Sequence, residues 1–270
     1  MSIILNEQKL TIPEVKTISW LDPEASAEKI KEVTDKSPRS TWIRGIVCHT
    51  IHGKLGNLLP GNGGSGNVAE KYAQYQTNTN RSVSWDYTCD LDGSWIVQND
   101  PTKYYTWHAT SVNGYTCGFE LVQLDNGDMY EQQIAKAVVF IDFLTAKLGI
   151  QRQIPWDMKN NCSPKGTVNR IAGPNSGKDV IGVYNHSHQT KNRGYGDCGP
   201  WLPIALKNAG YETYAFDGDD DKTVWKARQK ALGFIDKDCD GVPGTATVRA
   251  LKASGKPHGI YVSRPIDNLI

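Results

Sequence analysis

The run Trp42-Ile43-Arg44-Gly45-Ile46-Val47-Cys48-His49-Thr50 constrains the fold most. It is short, apolar and β-branched, so it reads as a buried strand. It ends in a histidine. In an open α/β sheet, the carboxyl ends of the strands are where ligands bind.

The segments downstream fit that frame. Ser82 to Cys89 reads as a strand, Asp90-Leu91-Asp92-Gly93 as a turn and Ser94 to Gln98 as the return strand. Asp-Gly between two such runs is a hairpin signal. Tyr115 to Val122 is a further strand that contains Glu120. A carboxylate inside an apolar strand is costly unless it is paired or functional. Asp128 to Leu148 reads as a helix, with Asp128 and Glu131 as a capping box and Gly149 as its stop. Ile134, Val138, Ile141, Leu144 and Leu148 are its expected core face. A polar loop over 151–178 leads to Val180 to His186, a second strand ending in histidine, and Leu202 to Ala209 suggests a closing helix. Strands interleaved with helices predict an α/β fold, with a central mixed β-sheet flanked by helices.

Composition bounds the partners. A net charge of +1 across 270 residues gives no basis for electrostatic binding to nucleic acid or to a membrane surface. The N-terminus has no basic start followed by a long apolar stretch, and no segment is long and apolar enough to insert in a membrane. The expectation is synthesis in the cytoplasm without a signal peptide. The six cysteines are scattered without a C-x-x-C pair, so mostly free thiols are expected. The glycine-rich stretch Leu59 to Gly66 lacks the Lys-Ser or Lys-Thr ending of a phosphate loop and reads as a plain loop.

Two strands thus end in histidines, His49 and His186, and an acid, Asp197, follows the second. Three protein ligands with a fourth position open to water are what a catalytic zinc site needs. Zinc (Zn2+) would polarise a carbonyl and acidify the water, and Glu120 is the candidate base. His188 competes with His186, and Cys198 with Asp197.

Five segments, in order, carry a resemblance. They are Ile46 to Thr50; Val83 to Tyr87 with Asp92-Gly93; Trp107-His108-Ala109; Cys117 to Leu121; and His186 through Asp197-Cys198-Gly199-Pro200-Trp201. Over about residues 41–210 the chain resembles the zinc-dependent N-acetylmuramoyl-L-alanine amidases of type 2, the family that includes the peptidoglycan recognition proteins. The resemblance implies hydrolysis of the amide between N-acetylmuramic acid and L-alanine, with His49 and His186 as ligands and Glu120 as catalytic glutamate. It places Trp107 and His108 beside the substrate groove, and Trp85 on the hairpin strand is a third candidate contact. The chain departs from the family two positions before the last ligand. Tyr195 or Gly196 stands where a cationic or hydroxyl side chain usually helps the oxyanion, and Arg193 could take that role. The alternative function is a peptidoglycan recognition protein without catalysis.

The end of the chain resembles a second family. Gln229-Lys230-Ala231-Leu232-Gly233 and Asp240-Gly241-Val242-Pro243-Gly244-Thr245-Ala246-Thr247 resemble the helical peptidoglycan-binding domain. Asp236 to Gly241 could instead open a calcium loop, but Thr247 stands where that loop needs Glu. The expected organisation is an N-terminal arm over 1–40 with a weak helix from Ala25 to Lys36, a catalytic domain over 41–212 and a small helical wall-binding domain over 217–256. The partner implied is bacterial peptidoglycan. The expected setting is a phage endolysin that reaches the wall after release.

Overall fold

The computed structural model describes residues 2–22, 37–39, 41–51, 67–123, 129–156, 163, 182–189 and 197–215, with parts of 226–250. The expected helix at 25–36, the glycine-rich loop, Asp128, Arg193, Tyr195, Gly196 and the acidic stretch after Phe216 lie outside the described residues.

The elements run β1 (Ile3–Leu5), β2 (Gln8–Leu10), β3 (Thr17–Ser19), β4 (Gly45–Ile51), α1 (Asn67–Asn78), β5 (Tyr87–Cys89), β6 (Ile96–Gln98) and a 3-10 turn at Thr110–Tyr115. There follow β7 (Thr116–Val122), α2 (Glu131–Leu148), β8 (Gln153–Trp156), β9 (Gly182–Asn185), α3 (His186–Gln189), α4 (Trp201–Asn208) and β10 (Glu212–Ala215). Among the described residues, six strands form the central sheet in the order β3-β6-β5-β7-β4-β9. Only β5 and β6 pair antiparallel, through the Asp-Gly hairpin, and every other neighbour in that sheet is parallel. The sheet is therefore mixed and the fold α/β, as the strand–helix alternation implies. Among the described residues no helix is long and apolar enough to cross a membrane.

The alternation of side chains along β4 and β7 divides the molecule into two faces. Ile46 and Cys48, with Cys117, Phe119 and Leu121, pack in the main core with Phe140, Ile141 and Leu144 of α2. Val47 lies on the other face with Ala109, Val112, Tyr115 and Tyr184. His49 and Glu120 share that second face, away from α2. Alternation alone keeps the chemistry clear of α2, the longest helix among the described residues.

Several elements differ from the sequence reading. Helix α2 starts at Glu131, with Tyr130 at the N-cap and no side-chain cap hydrogen bond, while Gly149 closes it at φ 65° in the left-handed region. Its buried stripe is Gln133, Ala137, Phe140, Ile141, Leu144 and Thr145, rotated from the expected one, with Ile134, Val138 and Leu148 only partly buried. The rotation follows from Gln133, whose amide N–H groups donate to the carbonyls of Asp90 (3.0 Å) and Val122 (2.6 Å) at the ends of two strands. A polar residue can occupy a core stripe when it satisfies backbone acceptors there.

The expected polar loop after Gly149 contains β8, all four residues buried, paired in parallel with β10. Four residues are too few to show a period, and the partner strand lies far along the chain. The first hairpin strand is shorter than expected and starts at Tyr87, leaving Trp85 and Asp86 just before it. The N-terminal arm does more than pack against the sheet. Its Thr17–Ser19 segment is the edge strand, bonded in parallel to β6.

Toward the C-terminus, Gln229 Nε2 donates to Asp240 Oδ1 at 2.9 Å, joining two residues of the second resemblance. Asp236–Asp238 forms a 3-10 turn.

Candidate metal centre

Strand β4 delivers His49 to its carboxyl end, level with Glu120 on β7. The same strand pairs with β9 up to Cys48–Asn185, so the residue after β9 arrives beside His49. That residue is His186. It opens the one-turn helix α3 and does not end the strand, as the sequence suggested. The two imidazoles lie 4.4 Å apart between ring centres at an angle of 66°.

Asp197 comes in from the following loop and is pinned by the backbone. The N–H of Thr50 donates to its Oδ1 at 2.9 Å, and its own carbonyl accepts from Ser187 N–H at 2.6 Å. Its Oδ2 stands 3.3 Å from Nδ1 of His186, and Oδ1 stands 4.0 Å from Nδ1 of His49. One donor atom from each of His49, His186 and Asp197 lies within 4.8 Å of the others, and all three residues are buried. Ligands about 2.0–2.1 Å from zinc at tetrahedral angles are separated by roughly 3.4 Å. The donor types therefore fit a zinc ion, which would draw the three atoms closer together than they stand here.

The rival ligands are engaged elsewhere. His188 is buried, with Nδ1 accepting the Asn185 N–H at 3.2 Å and Nε2 3.4 Å from Ser163 Oγ. Cys198 directs its thiol to Asn185 Oδ1 at 3.4 Å, and contact with Cys48 together with burial pushes that thiol's pKa well up. Five cysteines, Cys48, Cys89, Cys117, Cys198 and Cys239, carry free thiols among the described residues.

Of the expected substrate contacts, Trp107 is exposed, with its ring edge-on to Tyr105 at 5.3 Å. Trp85 is buried, and its indole N–H donates to Thr88 Oγ1 at 2.7 Å, so it offers a substrate little surface. His108 lies against His49, with its Nδ1 3.1 Å from Nε2 of that ring. Loss of water around the His108 ring, then the Arg39 cation, hold its pKa well below the usual histidine range, so it is neutral.

Sequence reasoning missed the support beneath this site. Arg39 and Asp86 form a buried ion pair at 3.0 Å, with side chains 4% and 0% exposed. The guanidinium also donates to the carbonyls of Thr102 (2.7 Å) and Thr116 (2.6 Å). The carboxylate accepts from Thr106 Oγ1 (2.9 Å) and from Gly118 N–H (2.8 Å) on β7. Burial raises the Asp86 pKa, and Arg39 and these hydrogen bonds pull it back. The signal was available: an acid in the apolar stretch Val83 to Cys89 invites the same question as Glu120.

No curated protein matches the chain. Among solved structures, an endolysin N-acetylmuramoyl-L-alanine amidase from Clostridium intestinale URNW is 15% identical, covering 74% of this chain and 96% of that one, with a TM-score of 0.43. A mutant endolysin from Bacillus subtilis is 21% identical over 51% of this chain and 80% of that one, with a TM-score of 0.37. The Staphylococcus aureus hydrolase AmiA, solved with its ligand, is 14% identical over 75% and 85%, with a TM-score of 0.41. These likenesses are loose, and the assignment rests on the sequence. The family model for N-acetylmuramoyl-L-alanine amidase matches residues 39–193, more than half of the 270, and includes His49, Glu120 and His186. The chain belongs to the N-acetylmuramoyl-L-alanine amidase family.

Proposed function

We propose that this amidase is zinc-dependent, with His49, His186 and Asp197 as ligands and Glu120 as general base. The observation that carries the reading is the convergence of one donor atom from each of the three on a single buried point. Zinc held there supplies polarisation of the scissile carbonyl and acidifies a water molecule. Glu120, level with His49 on the adjacent strand, takes the proton from that water and hands it to the departing amine of L-alanine. Asp197 keeps its orientation through the Thr50 N–H, which fixes one carboxylate oxygen and leaves the other toward His186. Trp107, exposed near the site, offers an apolar wall to a sugar or peptide face.

The substrate is the peptidoglycan amide between N-acetylmuramic acid and L-alanine. The setting is that of a phage endolysin, with residues 217–256 as a wall-binding domain; the Gln229–Asp240 hydrogen bond supports a folded unit there. The test is elemental analysis alongside mass spectrometry of digested wall. Wild type should hold about one zinc and free peptide stems that begin with L-alanine. His49→Ala should lose both, because two ligands leave the tetrahedral site incomplete. Full zinc content in that variant would refute the ligand assignment. Stoichiometric wall binding without cleavage would return the chain to a recognition role.

A further inference from the structure

We propose that His108 is a positioning residue for His49: it accepts a hydrogen bond from Nε2–H of His49 and so leaves Nδ1 of that ring as the metal-binding atom. The inference rests on the zinc reading above and assigns His108 a role other than lining the groove.

Nε2 of His108 lies 3.4 Å from the Thr116 carbonyl oxygen and 3.3 Å from Thr116 Oγ1. The carbonyl can only accept. The Thr116 hydroxyl hydrogen is directed to the Val112 carbonyl at 2.8 Å, so Oγ1 also faces His108 as an acceptor. Two acceptors require a hydrogen on Nε2. The other nitrogen of His108, Nδ1, stands 3.1 Å from Nε2 of His49. One proton must lie between them. The Nδ1 of His49 is the nitrogen that faces Asp197, so a metal held there would leave that proton on Nε2 of His49, directed at His108. A metal-binding histidine almost always donates its other ring N–H to a partner that fixes its tautomer and orientation. Here a second imidazole takes that place.

The surroundings hold His108 in this pose. A Cβ on Gly118 would come within 2.8 Å of His108 Cγ, so the ring lies flush on β7 only because that position is glycine. Asn113 Oδ1 accepts from the backbone N–H groups of His108 (3.2 Å) and Ala109 (2.6 Å), fixing the segment that carries the ring. Arg39 donates to the same Thr116 carbonyl that faces Nε2, which joins the buried ion pair to the chain of hydrogen bonds. The chain runs His49, His108, Thr116, Val112.

The test compares His108→Leu, His108→Asn and Gly118→Ala in the full-length protein. Zinc affinity is measured by competition with a chromogenic chelator, melting temperature is taken on the metal-free proteins, and kcat and KM are determined with zinc in excess. Asn places its amide oxygen near the position of Nδ1 and can still accept. The expected result is a loss of about ten- to a hundredfold in zinc affinity for His108→Leu, largely restored in His108→Asn, with KM unchanged. Gly118→Ala, which keeps the histidine but displaces its ring, should also weaken zinc, and it carries the test if His108→Leu fails to fold. Affinity within about twofold of wild type in His108→Leu, or in Gly118→Ala if that variant decides, would overturn the proposal, whether the damage then appears in KM or only in melting temperature. A wild-type protein that takes up no zinc would instead overturn the metal reading itself, which the first titration reveals before any variant is compared.

Discussion

Replacing Arg39 with Met should destabilise the protein by about 3–5 kcal/mol, the usual cost of breaking a buried pair by removing one partner. The magnitude follows from what is left behind. Asp86 would keep Thr106 and the Gly118 N–H but lose its cation, in a place where its side chain has no exposure. The carbonyls of Thr102 and Thr116 would also lose a charged donor each. A loss of this size is a large part of the roughly 5–15 kcal/mol that stabilises an ordinary protein. At about 2–4 °C per kcal/mol for a domain of this size, the melting temperature should drop by roughly 6–20 °C. The assay is urea unfolding followed by tryptophan fluorescence, with chelator present so that metal binding does not enter the comparison. Lys103→Met is the control. Lys103 pairs with Glu7 at 3.4 Å with side chains 55% and 85% exposed, and should cost no more than about 1 kcal/mol. The double variant Arg39→Met/Asp86→Leu should recover much of the loss, because no buried charge is then left alone. An Arg39→Met protein within about 1 kcal/mol of wild type would refute the reasoning.

Glu120→Gln should retain zinc and lose turnover by on the order of a hundred- to ten-thousandfold, since an amide cannot take the water's proton; near-normal turnover with zinc in place would exclude Glu120 as the base. Burial raises the Asp90 pKa to about 6, above its unfolded value, so the folded state holds more protons than the unfolded between about pH 4 and 6. Its contribution to stability is therefore full below pH 4 and is lost as pH rises through 6, by about 2–3 kcal/mol. Subtracting the stability profile of Asp90→Asn from that of wild type should expose this slope, and a flat difference would show that Asp90 titrates normally. A chain cut beyond Ala215 should still cleave soluble muropeptides but bind whole walls more weakly, because tethering raises local concentration on a polymer. A cut inside β10 should also cost stability, since Glu212–Ala215 completes the pairing with β8.

Local pattern was enough for the elements whose information is local. The apolar run to His49 is β4, the Asp-Gly turn joins β5 to β6, Gly149 stops α2, and Glu120 stands in β7. His49, His186 and Asp197 were legible as a set because one histidine lies near the end of an apolar run and the other directly follows one, and chemistry restricts which residue types can form a metal-binding cluster. Period and residue type are properties of a few consecutive positions, so they survive without a structure.

What the tertiary structure alone decided is pairing. That the Asp197 carboxylate faces His49 and His186 while the Cys198 thiol faces Asn185 follows from how the loop turns toward β4, where the Thr50 N–H, far away in sequence, holds the carboxylate. His188 met Asn185 and Ser163, His108 came to lie against His49, and Arg39 met Asp86 across the sheet. Strand β8 became visible only with its partner β10, and β3 joined the sheet only because β6 left an edge open. A hydrogen bond between distant residues leaves no period in either segment, so its two halves look unremarkable until the backbone brings them within 3 Å.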